Sequence, residues 1–123
     1  MRKIILASSS IHRKKLLQQI KLNFTAISPD IDESRNKNEP VNKFVKRLSI
    51  EKAMKIAMLK KNSIVIGSDE IAVVDNKILG KPLTKKNARK QLNLISGKKV
   101  IFKTGICVID TNTMKKLSSV VNY

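Results

Sequence analysis

Five acidic residues lie at positions where they could take part in phosphate chemistry. Three are in a polar segment bounded by prolines and two follow a short apolar run: Asp30, Asp32, Glu33, Asp69 and Glu70. Carboxylates can hold a hard divalent ion that also binds phosphates, and a second carboxylate can deprotonate an attacking water. Acidic residues of ordinary turns have the same spacing, so the three loop acids fit either role. Asp69 is the stronger candidate because it follows an apolar strand, where α/β sheets commonly bind ligands.

A serine-rich turn near the N-terminus offers groups that could bind phosphate. Residues 8–10 are all serine, and the helical pattern that follows carries Arg13 and Lys14 in its first turn. Backbone N–H groups at a helix start, hydroxyls and a guanidinium can together hold a phosphate chain. The same residues also suit a simple helix cap beside a solvated arginine, and the glycine pattern of a P-loop is missing. Both interpretations of this turn remain open.

Single basic residues identify a site poorly in this chain, which has 26 lysines and arginines. Lys52, in a long helical pattern, and Lys81, in a Gly-Lys-Pro turn, are nevertheless candidate site residues. The one histidine, His12, cannot form a metal cluster by itself and is expected at the surface. Cys107 lies in an apolar stretch and is expected to be a buried structural thiol.

The composition is that of a globular protein with a large positive charge. The chain has 123 residues, 41% of them hydrophobic, and a formal net charge of +17. Lysines occur as short doublets along the whole chain and aromatic residues number only four, so nucleic acid is not expected as the main partner. The charge would still attract an anionic nucleotide. No apolar run suits a membrane span or a signal peptide, which predicts a cytoplasmic protein.

Periodicity of the apolar residues predicts a single α/β domain over residues 1–123 with the element order β-α-β-α-β-β-α-β-β. The helix at 41–60 is amphipathic and should cover the sheet. The acidic pair at 69–70 is expected between two separate strand segments. The six predicted strands are 2–7, 23–28, 63–74 in two segments (63–66 and 71–74), 77–79, 100–109 and 114–123. The predicted helices are 12–20, 41–60 and 84–94, and Asp30, Asp32, Glu33 and Glu39 lie in a predicted loop at 29–40.

Several short motifs, taken in order, resemble the Maf family of nucleotide pyrophosphatases. The resemblance covers nearly the whole chain, and the combination is far more specific than any single motif. The matching segments are residues 6–10 with Arg13, 29–33, 51–53, 66–69, 79–82, 88–89, 94–97 and 104–105.

The resemblance implies an α/β fold like that of inosine triphosphatases, with a mixed β-sheet flanked by helices and a cleft between two lobes. It further implies hydrolysis of a nucleoside triphosphate to the monophosphate and pyrophosphate with a divalent metal, Mg²⁺ or Mn²⁺. Such an enzyme would act in nucleotide-pool cleansing or cell division. Carried over by motif, Asp69 is the proton acceptor and a metal ligand, and Glu33 binds metal or water. The residues implied in phosphate binding are Ser8, Arg13, Lys52 and Lys81.

Two positions linked to substrate choice within the family are His12 and Glu70 here. The dTTP/UTP type resembles Arg and Thr at these places and the 7-methyl-GTP type resembles Trp and Gln, so this chain matches neither pair. Neighbouring segments look closer to the 7-methyl-GTP subfamily, which favours a methylated purine. The Glu70 carboxylate could pair with the cationic ring of 7-methylguanine.

The chain also departs from the family pattern. Ile11 replaces a proline expected before the first helix, and the C-terminal segment of the family is expected to be absent. Loss of that segment would leave an open sheet edge, which favours a homodimer. Three alternatives follow: an inactive Maf remnant, a dTTP/UTP pyrophosphatase, and a basic nucleic-acid-binding module.

Overall fold

The chain folds into a mixed β-sheet accompanied by helices, in the predicted order of elements. The computed structural model describes residues 2–79 and 84–122. The strands are β1 (Lys3–Ala7), β2 (Thr25–Ile27), β3 (Ser63–Val74), β4 (Lys77–Leu79), β5 (Ile101–Asp110) and β6 (Lys115–Asn122), and the helices are α1 (Ile11–Gln19), α2 (Val41–Ala57) and α3 (Lys85–Ile95). The mixed α/β fold predicted from the sequence is confirmed.

The strands lie in the order β2-β1-β3-β5-β6, and β4 pairs with the far end of β3. β1 is parallel to both β2 and β3, whereas β5 is antiparallel to β3 and β6. β1 stops where Ala7 pairs with Gly67, but β3 continues to Val74. The turn after β1 and the second half of β3 therefore lie at the same end of the sheet.

The prediction that residues 67–70 interrupt the strand was wrong. β3 is continuous, and its pairing with β5 runs without a break from Ile64 opposite Asp110 to Val73 opposite Ile101. Asp69 lies inside this ladder, opposite Gly105. Partners distant in sequence thus satisfy the backbone of a segment whose own residues favour turns.

α2 covers one face of the sheet, as predicted, and supplies much of the core. Its buried apolar residues recur at helical spacing and pack in two clusters against β1, β3 and β5. A methyl group added at Gly67 would clash with the Ser49 carbonyl oxygen and lie 2.6 Å from the Ala53 nitrogen. Only a residue without a side chain lets the helix and strand backbones come this close. The buried apolar residues of α2 are Phe44, Val45, Leu48, Ala53, Ile56 and Ala57.

α1 and α3 are held much less tightly. Every residue of these two helices is at least partly exposed, including the apolar Leu16 of α1, and Ile20 just after α1 is exposed as well. Both begin with a side-chain cap, in which Ser10 and Thr84 accept from the third backbone N–H that follows them. Local hydrogen bonds, more than burial of an apolar face, therefore define these helices.

The fold bears on two further points: the single cysteine and membrane-spanning helices. Cys107 is fully buried, and burial raises the pKa of its thiol, so it has the expected structural character. In the described residues, 2–79 and 84–122, the helices are too short or too polar to cross a membrane.

Candidate active site

Two of the predicted carboxylates meet at a predicted lysine. The Lys52 ammonium lies 3.0 Å from Oδ1 of Asp69 and 2.8 Å from Oε1 of Glu33. Lys52 and Asp69 are each 9% exposed, whereas the Glu33 side chain is 58% exposed. The result is a cluster, here called the acid–lysine cluster, that is buried at Asp69 and open to solvent at Glu33.

The close packing of α2 on β3 explains why Lys52 reaches Asp69. Alternate residues of a strand share a face, so Gly67 and Asp69 both point toward α2. Gly67 admits the backbone of Ala53, and the residue before Ala53 is Lys52. The glycine thus brings the helix close enough for the next inward-facing residue of the strand to pair with the lysine.

The charges of the cluster suit a metal bound together with an anionic substrate. A buried ammonium is costly unless it is paired, and Lys52 has two carboxylate partners, which leaves one excess negative charge. Mg²⁺ is commonly bound through one or two carboxylates plus substrate phosphates. Within the part of the chain that the structure describes, no group of three or more His, Cys, Asp or Glu side chains could hold a metal by itself. Glu33 and Asp69 therefore fit a cation that completes its shell with substrate and water.

Ser8 and Arg13 form a second group at the same end of the sheet. Ser8 is buried directly after β1, and its Oγ accepts from the Ser10 N–H at 3.0 Å. Nη1 of Arg13 lies 3.5 Å from the same oxygen. Ser10 caps α1 through the Arg13 N–H. Ser10 therefore caps the helix, and Ser8 and Arg13 bring a hydroxyl and a guanidinium together. Phosphate binding by this pair stays a prediction.

Glu70 and His12 are not among the partners of Lys52 in the acid–lysine cluster. Glu70 is exposed and, as the residue after Asp69, points to the opposite face of β3. Its Oε2 accepts from the Thr104 hydroxyl at 3.0 Å. His12 is exposed on α1, as predicted. Lys81 lies outside the described residues.

The acidic loop (residues 28–40) contacts α2 through residues that the sequence interpretation missed. Arg47 binds the Glu39 carboxylate and the Ser34 carbonyl oxygen, and it also contacts Glu51. The only signal in the sequence was the spacing of Arg47 and Glu51, four residues apart on a predicted helix. The partners in the loop carry no helical periodicity and could not be assigned.

Comparison with known proteins identifies the family. The model of the Maf-like protein family matches residues 3–122. The chain is 47% identical over 110 residues to a 7-methyl-GTP pyrophosphatase of Alcanivorax borkumensis, and the match covers 89% of this chain and 56% of that protein. It is 42% identical over 120 residues to a protein of the same name from Colwellia psychrerythraea, covering 98% of this chain and 60% of that protein. The chain thus spans less than two thirds of the length of these relatives.

A solved structure agrees on the fold. The Ham1 protein of Staphylococcus aureus superposes with a TM-score of 0.59 at 18% identity, covering 98% of this chain and 70% of that one. At that identity the likeness concerns the fold alone. The family match over nearly the whole chain, together with the motifs that meet at the acid–lysine cluster, shows that this chain belongs to the family of Maf-like proteins.

Proposed function

We propose that this protein hydrolyses a nucleoside triphosphate to the monophosphate and pyrophosphate. The observation that carries the proposal is the buried Asp69 carboxylate, held by Lys52 beside a second carboxylate, Glu33. The relatives named 7-methyl-GTP pyrophosphatase support it. We propose that the enzyme acts on the nucleotide pool of the cytoplasm, and homodimer formation stays a prediction.

In the proposed reaction, Asp69 accepts a proton from a water molecule. The water oxygen forms a bond to the α-phosphorus as the bond from that phosphorus to the bridging oxygen breaks, and pyrophosphate leaves with the electron pair. Lys52 donates to Oδ1 of Asp69 at 3.0 Å and so holds the carboxylate in one orientation. Positioning of this kind can supply a large part of a rate enhancement because the reacting groups need no further ordering.

The phosphate chain is proposed to bind at the turn after β1. The Ser8 hydroxyl and the Arg13 guanidinium would donate to phosphate oxygens, and the backbone N–H groups at the start of α1 would add to them. Lys81 is proposed to join this set on the strength of its motif alone. Glu33 and Asp69 would hold Mg²⁺ or Mn²⁺, which supplies positive charge to the phosphate oxygens when bound.

A methylated purine nucleotide is the proposed substrate. A 7-methylguanine ring is cationic, and Glu70 is proposed as its negative partner on the basis of its motif position. Its carboxylate accepts from the Thr104 hydroxyl on the face of β3 opposite to Asp69. His12 is proposed as the second specificity residue because it precedes Arg13 on α1. A Glu70→Gln variant would keep the hydrogen bond from Thr104 but lose the charge. The ratio of kcat/KM for 7-methyl-GTP to that for GTP should therefore fall.

Pyrophosphate release from a panel of nucleotides tests the proposal. Purified protein is given 7-methyl-GTP, GTP, dTTP or UTP, with and without Mg²⁺, and Asp75→Asn serves as a control for loss of an acidic side chain elsewhere. We expect Mg²⁺-dependent release that is fastest with 7-methyl-GTP. Preference for dTTP and UTP would overturn the choice of substrate. Absence of release from every nucleotide would favour an inactive remnant, and salt-dependent DNA binding without turnover would favour a nucleic-acid-binding module.

A further inference from the structure

The acidic loop runs back along α2, and three basic residues of the helix bind it in succession. The Lys55 ammonium donates to the backbone carbonyl of Asp30, and Lys52 pairs with Glu33. At the start of the loop the helix thus binds a backbone carbonyl group and not a side chain. Loop and helix lie antiparallel: Lys55 binds residue 30, Lys52 binds residue 33, and Arg47, nearest the N-terminus of α2, binds residues 34 and 39.

Arg47 binds the C-terminal end of the loop and makes more contacts than Lys52 or Lys55. Its Nε and Nη2 donate to the two oxygens of Glu39 at 2.8 and 2.9 Å, a bidentate pair. Nη2 also donates to the carbonyl oxygen of Ser34 at 2.9 Å, and Nη1 lies 3.1 Å from Oε2 of Glu51. The guanidinium lies 5.5 Å from the centre of the Phe44 ring. A planar group with five N–H donors can make these contacts together, and a lysine cannot.

Glu39 is the buried half of this arrangement. It is 6% exposed, and its Oε1 also accepts from the Asn36 N–H at 3.2 Å. Nε of Arg35 donates to the Glu39 carbonyl oxygen at 2.8 Å, which closes the chain between them into a compact turn. The hydrogen bond from Arg47 lowers the pKa of Glu39, so this carboxylate stays ionised in neutral solution. Arg47 and Glu39 together are called the loop clasp.

Glu33 pairs with Lys52 from a solvent-exposed position. Its side chain is mostly exposed, although it must reach the buried Lys52. The next residue, Ser34, is the one whose carbonyl oxygen Arg47 holds. Arg47 therefore holds the backbone immediately next to Glu33.

We propose that Arg47 is a positioning residue for the reaction: by binding Ser34 and Glu39, it holds the acidic loop on α2 with Glu33 at Lys52. The effect on turnover rests on the proposed function, whereas the effect on the loop does not. Arg47 itself acts through Glu33 and is assigned no contact with substrate.

Hydrogen exchange tests the proposed effect of Arg47 on the loop. Arg47→Lys keeps the charge but cannot bind Glu39, Glu51 and Ser34 together, so amides of residues 30–39 should exchange at least about tenfold faster, with those of β3 and β5 unchanged. Lys46→Ala, at an exposed neighbouring position of α2, should leave the loop unaffected. If Arg47→Lys left loop exchange at the wild-type rate, the proposal would be overturned. Should that variant unfold, Glu39→Gln, which keeps the shape of the partner, is to be measured in its place.

Kinetics test the functional half. With the loop loosened, kcat should fall about tenfold and the Mg²⁺ concentration for half-maximal activity should rise, because Glu33 is no longer held at Lys52. The KM for the nucleotide should stay near the wild-type value, because Ser8 and Arg13 lie on other elements. Faster loop exchange with unchanged kcat and Mg²⁺ dependence would overturn the positioning role. A wild-type protein without turnover would instead refute the proposed function, and the exchange experiment would still decide whether the clasp exists.

Discussion

Helices α1 and α2 both bring candidate site residues to the same end of the sheet, but the two are held there in different ways. α2 is fixed by burial, with Leu48 at 2% exposure and its backbone against Gly67. α1 leaves Leu16 at 61% exposure and depends on hydrogen bonds around its first turn. The acid–lysine cluster is therefore built into the core, whereas the proposed phosphate-binding turn is attached to it locally.

Two leucines provide the sharpest test of this difference in stability. Leu48→Ala removes a buried side chain from α2 and should lower the free energy of unfolding by about 2–5 kcal/mol. Leu16→Ala makes the same change at an exposed position of α1 and should alter it by less than about 0.5 kcal/mol. Urea denaturation of both variants measures the two values. Equal losses would mean that α1 is packed as firmly as α2.

Two glycines test whether the close approach of α2 matters for the site. Gly67→Ala would force the α2 backbone away from β3 and should cost about 1–3 kcal/mol of unfolding free energy, with reduced turnover as Lys52 moves from Asp69. Gly97→Ala has open space around it and is strained only by its φ of +73°, so it should cost about 1 kcal/mol and leave turnover unchanged. Thermal unfolding and pyrophosphate release separate these outcomes. Full activity in Gly67→Ala would show that the contact does not position the cluster.

The loop clasp should make a smaller contribution to the free energy of unfolding, and this contribution should be lost at acidic pH. The hydrogen bond from Arg47 lowers the pKa of Glu39, so its carboxyl group loses its proton more readily in the folded protein than in the unfolded chain. In an unfolded chain a glutamate has a pKa of about 4.3. The stabilisation is therefore complete above that value and is lost as the pH falls through the lowered pKa of the folded state. Glu39 faces Arg47 and Lys43 of α2 as well as Arg35 of the loop.

Glu39→Gln is the variant that isolates this contribution. Urea unfolding of wild type and variant between about pH 5 and pH 3 should give curves that converge as the pH falls, since acid removes the same charge that the substitution removes. Other carboxylates, including Asp110 beside Arg2, contribute equally to both proteins. Parallel curves across this range would show that the clasp adds no pH-dependent stability.

Local pattern was sufficient to predict the element order and the face of α2 that covers the sheet. The apolar residues Phe44, Leu48 and Ile56 recur at the helical period, and that period decides which side is buried. The continuity of β3 through Asp69 was not predictable in the same way. Gly67 and Ser68 favour a turn, and only their pairing with β5, far along the chain, keeps them extended.

The candidate site was predictable in part. Family motifs implied Glu33 and Asp69 as metal-binding residues and Lys52 as a phosphate-binding residue. In the structure both carboxylates contact Lys52. The role of Arg47 was not predictable, because its partners Ser34 and Glu39 lie in a loop whose path along α2 depends on tertiary contacts. Motifs thus identify residues that contact one another directly, and the structure is needed to find those that hold them in place.

Pyrophosphate release by Asp69→Asn, with saturating Mg²⁺ and the preferred nucleotide, tests the central claim most directly. Asparagine has nearly the same shape but cannot accept the proton, so turnover should fall about a hundredfold or more while the circular dichroism spectrum stays unchanged. Asp75→Asn, in the exposed turn after β3, should retain wild-type turnover. An Asp69→Asn protein that hydrolyses the nucleotide at the full wild-type rate would contradict the account.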